Sequence, residues 1–316
     1  MNNHYESVRV MDIDTSGGLY PSCQGIHGLK RSSWKWKLQL LNLCGMIYFF
    51  LYSVTALVVG VTVALPELYK NNPDVLFYRV LAGWYIFSML VVNHICIVRN
   101  YKRSVVDSST CTALLNQTET SAEEKRWKQC FTCNQLVPPR AKHCPLCDRC
   151  VLKRDHHCFF AGCCIGFHNQ RYFIVFCFYG TLGALYSLCI AIGYLEVHYA
   201  KLSSQEFYNY LVPWLLWRWF TSDITIGTVT MVVYSYCCVV TMAACAHYFL
   251  WQCMLLYTGQ SSYEYVKGIR LYKRSLFDNM SSVFGPMWLL NFIFPMPFHN
   301  SGNGIEWNVS LDMKER

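Results

Sequence analysis

The sequence predicts an all-α membrane protein: four transmembrane helices, with a cytosolic zinc-bound cysteine-rich domain between helices 2 and 3. Three observations predict it. The chain of 316 residues is 53% hydrophobic and only 15% charged, against roughly 25% charged in a soluble domain. Four apolar runs reach the roughly 20 residues that a helix needs to cross a bilayer. Eight of the 18 cysteines fall between Cys130 and Phe173, in the polar stretch between the second and third runs.

Residues 1–37 are polar and turn-rich and end in a basic, aromatic collar (Lys30, Arg31, Trp34, Lys35, Trp36, Lys37). The apolar run that follows begins too late and is too long for a signal peptide, so the segment reads as a cytosolic tail. Residues 38–98 hold two spans. Leu38–Leu65 carries no charge, a turn covers Pro66 to Asp74, and Tyr78–Val98 is the second span, containing Asn93 and His94. Polar groups inside a span are costly, and these two read as an interhelical hydrogen bond near the cytosolic end.

Residues 99–171 form the cytosolic loop: a Ser/Thr-rich linker over Ser104–Glu124, then a cysteine-rich domain with its core at 128–171. Residues 172–257 hold the second pair of spans, Tyr172–Val197 and Ile224–Tyr257, with a tryptophan-rich connection between them. Residues 258–316 are a cytosolic tail in which Gly285–Phe298 is apolar, proline-broken and too short to span, which reads as an interfacial piece.

Orientation follows from charge. The formal net charge is +8. Lys70, Arg79, Lys201 and Arg218 lie at the connections on one side, while twelve Lys and Arg from Arg99 to Arg171 lie on the other. Basic loops stay cytosolic, so both termini and the cysteine-rich loop face the cytosol. The sequons at Asn116, Asn279 and Asn308 then lie on the unglycosylated side. The basic residues flank spans instead of forming a stripe with exposed aromatics, which excludes nucleic acid as a partner. Membrane lipids are the solvent of the apolar runs.

The cysteines divide by setting. Eight lie within apolar segments (Cys44, Cys96, Cys177, Cys189, Cys237, Cys238, Cys245, Cys253), where the residue acts as a small hydrophobe. Those of the loop have metal spacing: Cys130-x2-Cys133, then His143-Cys144-x2-Cys147-x2-Cys150, then His157 and Cys164. Structural zinc takes four nitrogen or sulfur ligands, and this set divides into two Cys3His groups. A loop this poor in apolar residues needs the folding energy that metal supplies. One thiol is left over. Asp155-His156-His157-Cys158 places carboxylate, imidazole and thiol together, the components of an activated thiolate nucleophile. Spacing alone leaves open which histidine binds metal and which serves the thiol.

The stretch Cys130–Phe173 resembles the cysteine-rich domain of the DHHC family of protein S-acyltransferases (palmitoyltransferases). The match runs through Pro139-Arg140-x2-His143, Asp155-His156-His157-Cys158 and Cys164-x-Gly166-x2-Asn169-x3-Phe173. Ser261-Ser262-Tyr263-Glu264 is similar to the family's Thr-Thr-x-Glu motif, and Asn279-x3-Val283-Phe284-Gly285 to a further element.

The resemblance implies one zinc on Cys130, Cys133, His143 and Cys150, and a second on Cys144, Cys147, His157 and Cys164, both structural. It implies Cys158 as nucleophile, His156 as its base and Asp155 as the group that fixes the imidazole. The donor it implies is a long-chain acyl-CoA such as palmitoyl-CoA, met by Lys153, Arg154 and Phe160. The acceptors it implies are cytosol-facing proteins with cysteines near the membrane, and the location an endomembrane, Golgi or endoplasmic reticulum. The chain departs from the family after the nucleophile. Phe159-Phe160-Ala161-Gly162-Cys163 stands where Pro-Trp-Val-Asn-Asn is usual, and Arg154 where methionine is usual. Those changes support the rival reading, a catalytically weak membrane-anchored protein whose zinc domain binds partners.

Overall fold

A computed structural model describes residues 11–13, 19–21, 31–106, 127–202, 205–296, 300 and 302–307. The sequons at Asn116 and Asn308 lie outside these residues, as does most of the expected Ser/Thr-rich linker.

Four helices are long and apolar enough to cross a membrane: Trp36–Leu68, Pro73–Ser104, Gln170–His198 and Ile226–Thr258. Their ends follow from local chemistry. The second starts at Pro73, behind an Asn72 cap whose side chain accepts from Val75 N at 3.4 Å. The fourth starts behind Thr225, which caps Thr228 N. It stops at Gly259, which takes the left-handed conformation (φ 69°) that a C-terminal cap requires.

Most helix ends differ by a few residues from the sequence reading, and two differences have a clear cause. Pro66 does not end the first helix. A π-helical stretch at Gly60–Ala64 shifts the hydrogen-bond register, and Pro66 then sits in the first turn of Leu65–Leu68, where its missing N–H costs nothing. The second helix runs past Val98 to Ser104, because Arg99, Lys102 and Arg103 are good helix formers and the latter two lie in its last turn. The loop therefore begins six residues later than Arg99 would have it.

The third helix is the central one, with half of its most apolar window buried. It packs closely on the fourth: a Cβ on Gly180 would lie 2.7 Å from Cys245 Sγ. At one end, the connection between them folds into a short helix, Val212–Phe220, with Trp214, Trp217 and Trp219 exposed. At the other end sits the cysteine-rich region, built from three antiparallel hairpins of three-residue strands: Lys128–Cys130 with Gln135–Val137, Lys142–Cys144 with Arg149–Val151, and His156–Cys158 with Cys163–Ile165. Isolated two-stranded hairpins are marginal in water.

The tail is fastened to the same end. Leu276–Phe284 buries Asn279, and a short 3-10 turn at Trp288–Phe292 follows. Tyr179 Oη donates to the Phe292 carbonyl and Tyr85 Oη donates to Ile293 O (2.7 Å). The apolar piece from Gly285 thus docks on the second and third helices.

Candidate active site

The three hairpins share one geometry. Cys130, Cys144 and Cys158 each end the first strand, opposite Gln135, Arg149 and Cys163. Three residues later stand Cys133, Cys147 and Ala161. Next comes a residue with positive φ that turns the chain: Asn134 (51°), Asp148 (54°) and Gly162 (63°). The third hairpin is therefore a metal knuckle without its second cysteine. A knuckle holds metal through two thiols, so Ala161 leaves Cys158 out of any such pair.

The remaining ligands assemble into the two expected sets. Cys130, Cys133, His143 and Cys150 place their donor atoms within 4.8 Å of one another, and so do Cys144, Cys147, His157 and Cys164. Tetrahedral zinc with bonds of about 2.3 Å to sulfur and 2.0 Å to nitrogen needs S···S edges of about 3.8 Å and S···N edges of about 3.5 Å. Here Cys150–Cys133 and Cys147–Cys164 are both 3.7 Å apart. His143 Nδ1 lies 3.2 Å from Cys133 Sγ, and His157 Nδ1 lies 3.3–3.8 Å from its three sulfurs. The donor sets fit zinc. With Nδ1 turned to the sulfurs, His157 Nε2 donates to Asn42 Oδ1 at 3.0 Å, an outer contact of the kind that fixes a ligand's ring. Asn42 belongs to the first long helix, so this set is tied to the membrane-length helices.

Asp155, His156 and Cys158 lie together. His156 Nδ1 donates to Asp155 Oδ2 at 2.8 Å, which leaves Nε2 to serve the neighbouring Cys158 sulfur. The ring stacks on Tyr248 (16° between planes) and meets Phe173 edge-on. Burial pulls the imidazole's pKa down, but Asp155 and the Cys158 sulfur outweigh it and leave it at about 9. Asp155 is itself buried. Burial raises its pKa, and the bonds from His156 and the Ser262 amide reverse this and hold it at about 2. Three donors satisfy its carboxylate: His156 Nδ1, Gln252 Nε2 (2.7 Å) and Ser262 N (2.6 Å). A carboxylate so paired stays ionised and keeps the imidazole in one orientation.

Residues 261–264 gain a structural account. Ser261 caps its helix in a capping box with Glu264, which presents the Ser262 amide to Asp155. Glu264 also takes a bidentate pair from Arg140 (2.7 and 2.6 Å), both side chains being buried. The Arg140 guanidinium lies 4.3 Å over the Trp307 ring.

Lys153 and Arg154 both turn inward. Lys153 is buried and donates to Gln170 Oε1 at 3.0 Å. Burial, with the Arg140 guanidinium nearby, pushes its ammonium down to about 7. Gln170 donates in turn to Gln252, so a continuous buried chain joins Lys153 to Asp155. Arg154 donates to Cys164 Sγ (3.4 Å) and Cys144 Sγ (3.7 Å), where its charge would offset the excess negative charge of three thiolates around one zinc. Phe160 is exposed at the hairpin tip, its ring 6.3 Å from that of Tyr48.

Cys158 packs in a cluster with Phe49 and Phe176. Both also line an apolar cavity among the four long helices, with Tyr52, Leu90, Thr241 and Cys245. Sequence reasoning missed Asn42, Gln252 and the role of Arg140. The lost knuckle was readable, since His143-Cys144-x2-Cys147-Asp148-Arg149-Cys150 aligns with His157-Cys158-x2-Ala161-Gly162-Cys163-Cys164.

A thiol, an imidazole and a buried carboxylate beside two zinc-fitting knuckles, clustered with residues that line an apolar cavity, suit a thiol transferase braced by metal. Comparison with known proteins specifies it. The profile of the DHHC palmitoyltransferase family matches residues 123–269. Palmitoyltransferase ZDHHC22 of Mus musculus is 29% identical over 266 residues, 82% of this chain and 94% of its own. The probable palmitoyltransferase ZDHHC24 of Homo sapiens is 29% identical over 197 residues, 59% of this chain and 66% of its own. The chain thus carries a DHHC palmitoyltransferase domain over residues 123–269.

Proposed function

We propose that this protein S-palmitoyltransferase moves a long-chain fatty acyl group from acyl-CoA to protein cysteines through an acyl-enzyme on Cys158. The observation that carries this reading is Cys158 standing in a knuckle that has lost its second cysteine, two residues from an imidazole that Asp155 orients.

In the first step the Cys158 thiolate attacks the thioester carbonyl. The carbon–sulfur bond to CoA breaks, and the departing thiol takes the proton held on His156. In the second step His156 accepts the proton of a substrate cysteine, whose sulfur attacks the acyl-enzyme and releases Cys158. Asp155 supports the imidazolium in both. The acyl chain lies in the cavity that starts at Phe49 and Phe176, where each buried methylene is worth about 0.8 kcal/mol. Two zinc ions on the Cys3His sets supply folding energy and hold the third hairpin in place.

The four long helices cross the membrane with the cysteine-rich region and both termini in the cytosol. The support is the basic excess at that end, including Arg99, Lys102 and Arg103 on the second helix. Acceptors are cytosolic protein segments with a cysteine near the bilayer, and the membrane is that of the Golgi or endoplasmic reticulum.

The test is autoacylation of purified, zinc-loaded protein with alkyne-tagged palmitoyl-CoA, with Cys158→Ser beside it. A label removed by neutral hydroxylamine and absent from the variant is expected. A wild type that keeps its zinc and takes no label at any chain length would sink the reading in favour of a binding protein.

A further inference from the structure

His94, a buried polar residue on the second long helix, has no part in the chemistry above. It is stacked on Phe49 (centroids 4.5 Å apart, 15° between planes) and meets Phe50 edge-on. Its Nε2 lies 3.0 Å from the carbonyl oxygen of Phe160. A carbonyl only accepts, so Nε2 carries the proton. The contact crosses from a membrane-length helix to the tip of the nucleophile's hairpin.

The other two hairpins show what that tip does. In the first, the amides of Thr132 and Cys133 donate to Cys130 Sγ. In the second, the amide of Cys147 donates to Cys144 Sγ. The third hairpin has the same register and the same positive-φ turn. Its equivalent amides are Phe160 N–H and Ala161 N–H, and its equivalent sulfur is that of Cys158. The Phe160–Ala161 peptide is trans, so its N–H points opposite to its C=O. Fixing the carbonyl on His94 fixes the amide on the other side.

We propose that His94 is a positioning residue for acyl transfer: it holds the Phe160–Ala161 peptide with the Ala161 amide facing the Cys158 sulfur, where it meets the oxyanion. This rests on Cys158 being the nucleophile. When the Cys158 sulfur bonds to the acyl carbon, the carbonyl π pair moves onto oxygen and that oxygen takes the Ala161 N–H bond. When the intermediate collapses, the pair returns, the carbon–sulfur bond to CoA breaks, and the CoA sulfur takes its proton from His156. In the first two hairpins the same amide would steady a thiolate of a metal-fitting set. In the third, with no metal pair at position 161, it is free for the reacting oxygen. Orientation matters because such a donor acts only when already aimed at the developing charge.

The experiment compares His94→Gln, whose amide nitrogen reaches the same place as Nε2, with His94→Phe, which keeps the stacking and loses the donor. Autoacylation is followed in single turnovers over a range of palmitoyl-CoA, with zinc content measured on the same samples. His94→Phe should slow acyl-enzyme formation at saturation by about tenfold or more, with the half-saturating concentration and both zinc ions unchanged, and His94→Gln should stay within about threefold of wild type. Equal losses in both variants, a wild-type rate in His94→Phe, or loss of zinc would overturn the proposal, since the contact would then serve only the fold or nothing. A wild type without label is a different failure, that of Cys158 as nucleophile.

Discussion

The second and third hairpins are near copies with opposite uses. Both close the first strand with His-Cys, both turn through a left-handed residue, and both set a cysteine opposite the histidine across the ladder: His143 with Cys150, His157 with Cys164. In the second, Cys144 and Cys147 are a pair and belong to a metal set. In the third, Ala161 takes the second place and Cys158 is left beside His156. One methyl in place of one thiol separates a structural knuckle from a candidate nucleophile. The surroundings differ to match. The Cys144 sulfur receives Arg154, whereas Cys158 belongs to a cluster with Phe49, Phe173 and Phe176, of which Phe49 and Phe176 line the cavity.

The comparison breaks first where metal is removed. Cys144→Ala or strong chelation should unfold the whole cysteine-rich region, because apparent zinc-binding energies of about 10–16 kcal/mol are folding energy in such sites. Cys158→Ser should keep both zinc ions and the fold while losing all label. Zinc analysis and thermal unfolding on both variants check this, and equal destabilisation would end the distinction.

Next is the anchor of the turn that meets Asp155. Arg140→Ala leaves Glu264 buried and unpaired, which should cost about 3–5 kcal/mol. Thermal unfolding would register it, and a midpoint unchanged from wild type would show the pair to be dispensable. Ala161→Cys sharpens the comparison from the other direction. Restoring the second knuckle thiol should raise the metal content above two per chain and lower autoacylation at least about tenfold. An unchanged rate with unchanged metal would mean that the loss at 161 is incidental.

The smallest effect concerns the first helix. A Cβ at Gly45 would lie 2.8 Å from the carbonyl oxygen of Phe159, so Gly45→Ala should shift the hairpin tip and destabilise by about 1–3 kcal/mol. A denaturant midpoint equal to wild type would contradict that close approach.

The four helices were legible because hydropathy is a local property, and the ligand sets because their spacing is fixed and the family assigns them. The supports of the site were not, because each comes from far along the chain. Asn42 is 115 residues from His157, Gln252 is 97 from Asp155, and His94 is 66 from Phe160. No periodicity or motif links such pairs, since only helix packing brings them together. The inward setting of Lys153 and Arg154 was illegible for a related reason. A basic residue in a polar loop is expected at the surface, but here a buried glutamine and two ligand sulfurs take both cations inward.

The central claim is that two hairpins hold zinc while the third has released its first cysteine for acyl transfer. Native mass spectrometry of the detergent-solubilised protein after palmitoyl-CoA treatment tests it in one spectrum, followed by peptide mapping. The account predicts two zinc ions and a single acyl adduct, located at Cys158. A third zinc on the unmodified chain, or an adduct on Cys163 that persists in Cys158→Ser, would contradict it.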